Sequence, residues 1–297
     1  MVQTAADGTV ITIRGVRVNS RRRTVFNWVG WTFTTVAFFV LGGAMMSILV
    51  EVFLRGFSSI NFKVLSTVTQ GTGGGLLNAM EGTAILAFGG ILLAIPSGIA
   101  AGVYSSEYER GWLASAIRFM SDVLVGVPSI VVGYFAYITL VVGLGWNFSL
   151  AAGSIALAII SLPYICRTTE MAMRQVPRGV REGALALGAT EGRMVMRITL
   201  PMAFPSILTG ILLGFAISVG ETAPLIYTAG WSSYLWNGQL TKEPIGYLTY
   251  VIWAFITEPF ASAHALAYAA ALLVTFFVLI TSIISRYMLD RSARWRR

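Results

Sequence analysis

The stretch Arg167–Pro201, RTTEMAMRQVPRGVREGALALGATEGRMVMRITLP, decides how the chain is built. It is a charged, helix-prone insert between long apolar segments. Six of the chain's 21 basic residues lie in it: Arg167, Arg174, Arg178, Arg181, Arg193 and Arg197. Placed between membrane spans, such a segment has to lie in water, and its basic excess assigns it to the cytoplasmic side.

Around it, 56% of the 297 residues are hydrophobic and 11% are charged. A soluble domain averages about 25% charged residues, so this composition belongs to a membrane protein. The net charge of +8 raises the question of nucleic acid, but no basic patch is interleaved with base-stacking aromatics, and no nucleic-acid partner is expected. The single cysteine, Cys166, excludes an internal disulfide and a cysteine metal cage. The lone His264, at the start of an apolar run, is a helix-end residue rather than a metal ligand.

Uncharged runs count the spans, since one crossing takes about 20 apolar residues. Such runs cover 24–50, 82–106, 198–220 and 259–285, and residues 123–166 give 44 more, enough for two spans broken at 143–149. The expected fold class is therefore an all-α membrane protein with six transmembrane helices over 24–290. A segment 1–23, holding a short strand or no fixed structure, precedes them, and a tail 291–297 follows. The first run is too long for the roughly 7–15-residue core of a cleaved signal peptide and is expected to be retained. With the N-terminus inside, only Arg55, Lys63 and Lys242 fall outside, so both ends are expected to be cytoplasmic. The segment 67–78, with Gly71, Gly73, Gly74 and Gly75, is then an outer loop. It offers backbone N–H groups to an anion, or is simply a flexible lead into the second span. The outer loop 221–258, with Trp231, Tyr234, Trp236, Tyr247, Tyr250 and Trp253, suits a membrane–water interface.

Within the insert, Pro177 breaks the helix and 178–187 forms a short new one. Gly188 ends it in a left-handed turn. Thr190 caps a second helix, 191–197, with Glu191 well placed at its start, and Pro201 and Pro205 mark the start of the fifth span. Ala184, Leu185 and Leu187 make an apolar knob. An ordinary inter-span loop would not carry this punctuation.

The string Glu182-Gly-Ala-Leu-Ala-Leu-Gly188, nine residues, then Ile198-Thr-Leu-Pro201 resembles the EAA motif of ABC-importer permeases. It departs only at Gly183, where the motif has alanine. The resemblance implies a type I importer architecture in which this loop, 167–201, is a cytoplasmic coupling helix seated on an ATPase subunit. Glu182, Ala184, Leu185, Leu187 and Gly188 would make the coupling contact, with Glu182 pairing a basic residue of the partner. Arg167-Thr-Thr-Glu170 and Gly220-Glu-Thr-Ala-Pro-Leu225 are similar to the phosphate-specific ABC permeases of the A type. That family implies a bacterial or archaeal plasma membrane and a homologous second permease subunit. It also implies two ATPase subunits and an extracytoplasmic phosphate-binding protein. No cofactor is expected in this chain; ATP and magnesium would sit on the ATPase, so the chain is not an enzyme.

An ionisable group at membrane depth marks a pathway or a partner, which singles out Glu221 and Thr222 as a gate or a lock on the second permease. Arg167 and Glu170 share a helix face. Either Arg167 offers two donors to phosphate oxygens beside Thr168, with Glu170 steadying it, or the two form a plain helix-end pair. Arg118 and Asp122, four apart, are expected to pair with each other. No G-x-x-x-x-G-K-[ST] loop is present, so ATP chemistry of that kind is absent from this chain. Sulfate or molybdate permeases are the alternative within the family. A secondary transporter would show repeated halves with broken helices, and a membrane enzyme would need a histidine-based site that a single His264 does not provide.

Overall fold

The computed structural model describes residues 20–108 and 111–294, with side chains from Thr24 to Met288 apart from that gap. The strand expected near the N-terminus, Arg110 and the last three residues lie outside the described residues. The chain divides into two compact units, residues 1–51 and 52–297. The first unit contributes the start of helix α1 (Ser20–Ser59), an uninterrupted apolar helix. All that follows concerns the second unit.

Its long helices are α3 (Leu77–Glu107), α6 (Leu150–Arg174), α9 (Leu200–Gly220) and α12 (Ala261–Arg294). Lipid tails are as apolar as leucine, so helices in a bilayer associate by close packing of small residues. On α3, Gly90, Gly98 and Gly102 lie against Leu157, Ile165 and Thr169 of α6, all at one constant offset in sequence. A constant offset means that the two helices run parallel. A Cβ on Gly102 would stand 2.5 Å from that of Thr169. On its other side α6 meets α9 in the opposite sense, where Gly210 abuts Thr168 and Gly214 faces Ser161. The Ser161 and Ser218 hydroxyls, 2.8 Å apart, share a hydrogen bond along this seam. α12 closes the other face of α9.

Because α3 and α6 are parallel, the chain between them must return across the bilayer. It does so by α4 (Trp112–Gly126) and α5 (Ser129–Ala136), the latter extended by a π-helical stretch, Tyr137–Gly143. The two are bent by 102°. This corrects the single span expected at 123–143. Among the described residues five helices, α1 included, are long and apolar enough to cross a membrane, six when the bent pair is taken as one crossing. The cause is Pro128, which lacks an N–H and forces Val127 out of the helical region, to φ −76° and ψ 127°. The break expected at 143–149 is present. Gly145 and Asn147 adopt positive φ, and Ser149 caps α6 by accepting the Ala152 N–H.

The glycine segment is an ordered hairpin, not a loose lead. α2 (Phe62–Ser66) precedes strands β1 (Thr69–Gln70) and β2 (Gly73–Gly74), with Gly71 at φ +59° in the turn. The Gly75, Leu76 and Leu77 N–H groups donate to Val68, Val64 and Thr67, so three of the amides offered to an anion are already used. The segment 221–258 folds into α10 (Ala223–Thr228), a loop, and α11 (Leu248–Phe255) over the start of α3. The Asn78 amide donates to Ser232 O at 2.8 Å, and the Leu248 N–H donates to the Thr83 hydroxyl at 2.8 Å. Trp231 stacks on Tyr250 at 4.7 Å and Tyr247 is buried, while Tyr234 and Trp253 are exposed. Of the six aromatics expected at an interface, Tyr247 is thus core of this cap, and Trp231, Trp236 and Tyr250 pack against that core.

The seam gives a direct test. Gly102→Val drives two methyl groups into Thr169 and the Cys166 carbonyl and is expected to cost about 1–3 kcal/mol, read as a lower thermal midpoint in detergent. Gly126→Ala, with no atom within 4 Å of the added carbon, should leave the midpoint unchanged.

Candidate functional site

α6 continues past its apolar stretch into the insert and carries Arg167, Thr168, Glu170 and Arg174 on its last two turns. Glu170 is buried, at 4% exposure, a costly place for a carboxylate unless it is paired. It is paired three times. Arg118 Nε donates to Oε1 at 2.7 Å, Arg174 Nη2 to Oε1 at 2.8 Å and Arg167 Nη1 to Oε2 at 3.2 Å. Arg167 Nη2 bonds the Asp122 carboxylate and the Arg118 carbonyl. Arg118 Nη2 donates to Ser105 O at 2.7 Å.

The expected Arg118–Asp122 pair is therefore replaced. Arg118 turns inward to Glu170, and Asp122, two-thirds exposed, takes Arg167. A buried carboxylate gains more from the guanidinium than an exposed aspartate four residues away. The cluster joins α3, α4 and α6, so the Arg167–Glu170 contact is one edge of a network that includes Arg118, Asp122 and Arg174 among the described residues, not a solitary helix-end pair. Exchanging only those two residues would set an arginine between Arg118 and Arg174. Thr168 donates its hydroxyl to Tyr164 O at 2.8 Å and fills the contact with Gly210.

Beyond Pro177, α7 (Arg178–Ala186) forms as expected, and Gly188 ends it at φ +82°. The Thr190 hydroxyl accepts the Arg193 N–H. The second helix differs from expectation. α8 (Glu191–Met194) passes through a π-helical stretch, Val195–Thr199, straight into α9, with Pro201 and Pro205 inside. Proline at a first turn loses nothing there, since the π stretch already disturbs the ladder. α8 and the fifth span are thus one continuous helical rod, separated from α7 by the turn at Gly188.

Leu187 is 91% exposed and Leu185 42%, whereas Ala184 is buried, so the knob consists of the two leucines. Glu182 is exposed and has no partner among the described residues. Its neighbour Arg181 points the other way. Both oxygens of Glu107 accept from Arg181 Nη1, at 2.8 and 3.0 Å. Beneath the knuckle lies a groove of about 690 Å³, lined by Ile99, Val103, Tyr104, Leu185, Met194 and Leu200 among others.

At the far end of α9 the chain breaks at Glu221 and Thr222 before α10. Glu221 is extended (φ −70°, ψ 136°), half-buried and beside Ser129 at the start of α5. Its carbonyl accepts the Thr249 hydroxyl at 2.7 Å. α10 lies on α5 so closely that a Cβ on Gly133 would be 2.4 Å from Pro224 Cα. Tyr227 meets the rings of Tyr134 and Tyr137. Two broken spans thus meet with Glu221 at the joint. Sequence reasoning named Arg118 and Asp122 but paired them with each other, and it missed Glu107 and Gly133. A charge at the end of an apolar run could have shown Glu107, but its partner is remote in sequence.

These features define the class. The fold matches a chain of the MetNI methionine ABC transporter in an inward-facing conformation, with a TM-score of 0.54 over 72% of this chain and 94% of that one, at 19% identity. A second crystal form of it matches with a TM-score of 0.51. Residues 94–294 match the family described as binding-protein-dependent transport system inner membrane component. The chain belongs to that family and is a multi-pass membrane protein. Among its relatives, the phosphate transport system permease protein PstA 2 of Mycobacterium tuberculosis is 44% identical over 265 residues, 89% of this chain and 88% of that protein. The phosphate transport system permease protein PstA of Yersinia pestis is 43% identical over 234 residues, 78% of each.

Glu170→Gln leaves three guanidinium groups around a neutral amide. It is expected to cost roughly 2–3 kcal/mol, less than the figure for a fully enclosed pair because Arg167 and Arg174 keep some solvent. A lowered midpoint of the purified subunit, absent in Asp122→Asn, checks it.

Proposed function

We propose that this chain is the membrane permease subunit of an ATP-driven importer of inorganic phosphate, supplying half of the translocation pathway beside a homologous second permease. The observation that carries it is the exposed knuckle, with bare Leu187 and with Glu182 unpaired among the described residues, in a chain 44% identical to a phosphate permease. An isolated acid and a bare leucine on a short helix fit a basic, apolar groove on another protein. Two ATPase subunits, holding ATP and magnesium, grip this permease and its partner permease there. An extracytoplasmic phosphate-binding protein delivers the anion to the opposite end. Both termini face the cytoplasm of a bacterial or archaeal cell, the side on which eighteen of the 21 basic residues then fall.

Phosphate leaves past Arg167, where a guanidinium fork matches two of its oxygens. Glu170 holds that guanidinium, Thr168 fixes α6 against α9, and the exposed Asp122 yields its place to the anion. Glu221 and Thr222, where two broken spans meet, form the gate. A carboxylate repels phosphate, so Glu221 acts on the helices rather than as a ligand.

The test is ATP-driven phosphate uptake by the reconstituted set of subunits. Gly188→Ala strains a left-handed position by about 1–2 kcal/mol, and it and Glu182→Ala are expected to lower uptake about tenfold or more. Gly183→Ala meets no atom within 4 Å, gains up to about 1 kcal/mol of helix propensity, and should transport at least as well as the native chain. Unchanged uptake in Glu182→Ala and Gly188→Ala, or uptake of sulfate or molybdate in place of phosphate, contradicts the proposal.

A further inference from the structure

The knuckle has two faces, and only one of them is explained by docking. Arg181 lies next to Glu182 but about 100° round the helix, and its side chain is 20% exposed. One guanidinium nitrogen reaches both oxygens of Glu107, the last residue of α3, at 2.8 and 3.0 Å. The other donates to the Met173 carbonyl in the last turn of α6 at 2.8 Å. That carbonyl lacks its ordinary helical partner for a definite reason. The N–H four residues on would belong to Pro177, which has none, so the carbonyl accepts the Val176 N–H at 3.2 Å and keeps its second lone pair for Arg181. The proline that ends α6 thus leaves room on the acceptor that Arg181 uses. Glu107 stands at the negative end of α3, an unfavourable place for a carboxylate, and Arg181 offsets both charges at once.

A single side chain therefore ties the knuckle to the ends of two parallel helices that are locked together along the glycine seam. We propose that Arg181, with Glu107 and the Met173 carbonyl, is the positioning joint through which displacement of α7 is passed to α3 and α6. This rests on the coupling function proposed above. Without the joint, α7 is gripped by the ATPase and moves, but α3 and α6 do not follow with it. The loss is then in coupling rather than in assembly, because the face carrying Glu182 and Leu187 is untouched.

The experiment uses the complete transporter in proteoliposomes and records ATP hydrolysed per phosphate imported. Arg181→Gln is expected to keep the ATPase subunits co-purifying in native amount while the ratio rises about tenfold, the effect of losing one charge-assisted pair of hydrogen bonds. Glu107→Gln, which leaves the Met173 contact, should raise the ratio less. If Arg181→Gln does not reach the membrane, Arg181→Lys carries the comparison. Its point charge reaches Glu107 or Met173 but not both, and the ratio should rise at least about threefold. A ratio within twofold of native in either Arg181 variant overturns the joint, as does loss of the ATPase subunits on purification, which would make Arg181 part of the docking face. Failure of the function itself is distinct from these outcomes: the native complex would then show no ATP-driven phosphate uptake at all.

Discussion

α6 lies between two helices so close that a Cβ at Gly98, Gly102 or Gly210 would stand less than 3 Å from an α6 atom. In a bilayer there is no hydrophobic gain from pressing helices together, so van der Waals contact along such seams must hold the bundle. Gly98 and Gly102 of α3 let that helix close on Ile165, Thr169 and the Cys166 carbonyl, and Gly210 of α9 lets that helix close on the Thr168 side chain, on the two sides of α6. Everything at the two ends of the bundle depends on it. The charged network needs α3, α4 and α6 in fixed register, and the arginine of the knuckle needs the ends of α3 and α6 side by side.

The same packing explains how charge is tolerated. Glu170 is buried with three arginines about it, and Arg181 sits between two helix C-termini. Each is expensive to form singly but consistent when the surrounding partners are already held in place. The result is a stiff end of the bundle from which one short helix projects, bare on its outer face and tied on its inner face. At the opposite end the packing is of another kind, with two broken spans touching through glycine and proline. The proposed function gives the two ends complementary parts, the stiff one to receive force and the jointed one to open.

The sequence carried α7 and its turn, because Pro177, Gly188 and Thr190 act locally and each has one geometric consequence, but not the burial of Ala184 or the run of α8 into α9. It carried the span count, because uncharged length is a one-dimensional property. It did not carry the 102° bend at Pro128, since that proline sits inside an uncharged run of 44 residues where charge gives no ruler. Nor did it carry the partners of the charges. Arg118 and Asp122 are four apart and look like a pair, yet burial of Glu170, 52 residues away from Arg118, outweighs the local contact. The aromatics of the 221–258 segment have the composition of an interface, and only the fold over α3 turns some of them into core.

The central claim is that a partner protein grips the exposed face of α7 from the cytoplasm. A membrane-impermeant maleimide applied to Leu187→Cys in oriented vesicles tests it most directly, since the native Cys166 is buried. Labelling confined to inside-out vesicles, and abolished when the ATPase subunits are bound, is the result this account predicts. Labelling from the outer face of right-side-out vesicles, or labelling that the ATPase subunits leave unchanged, would contradict it.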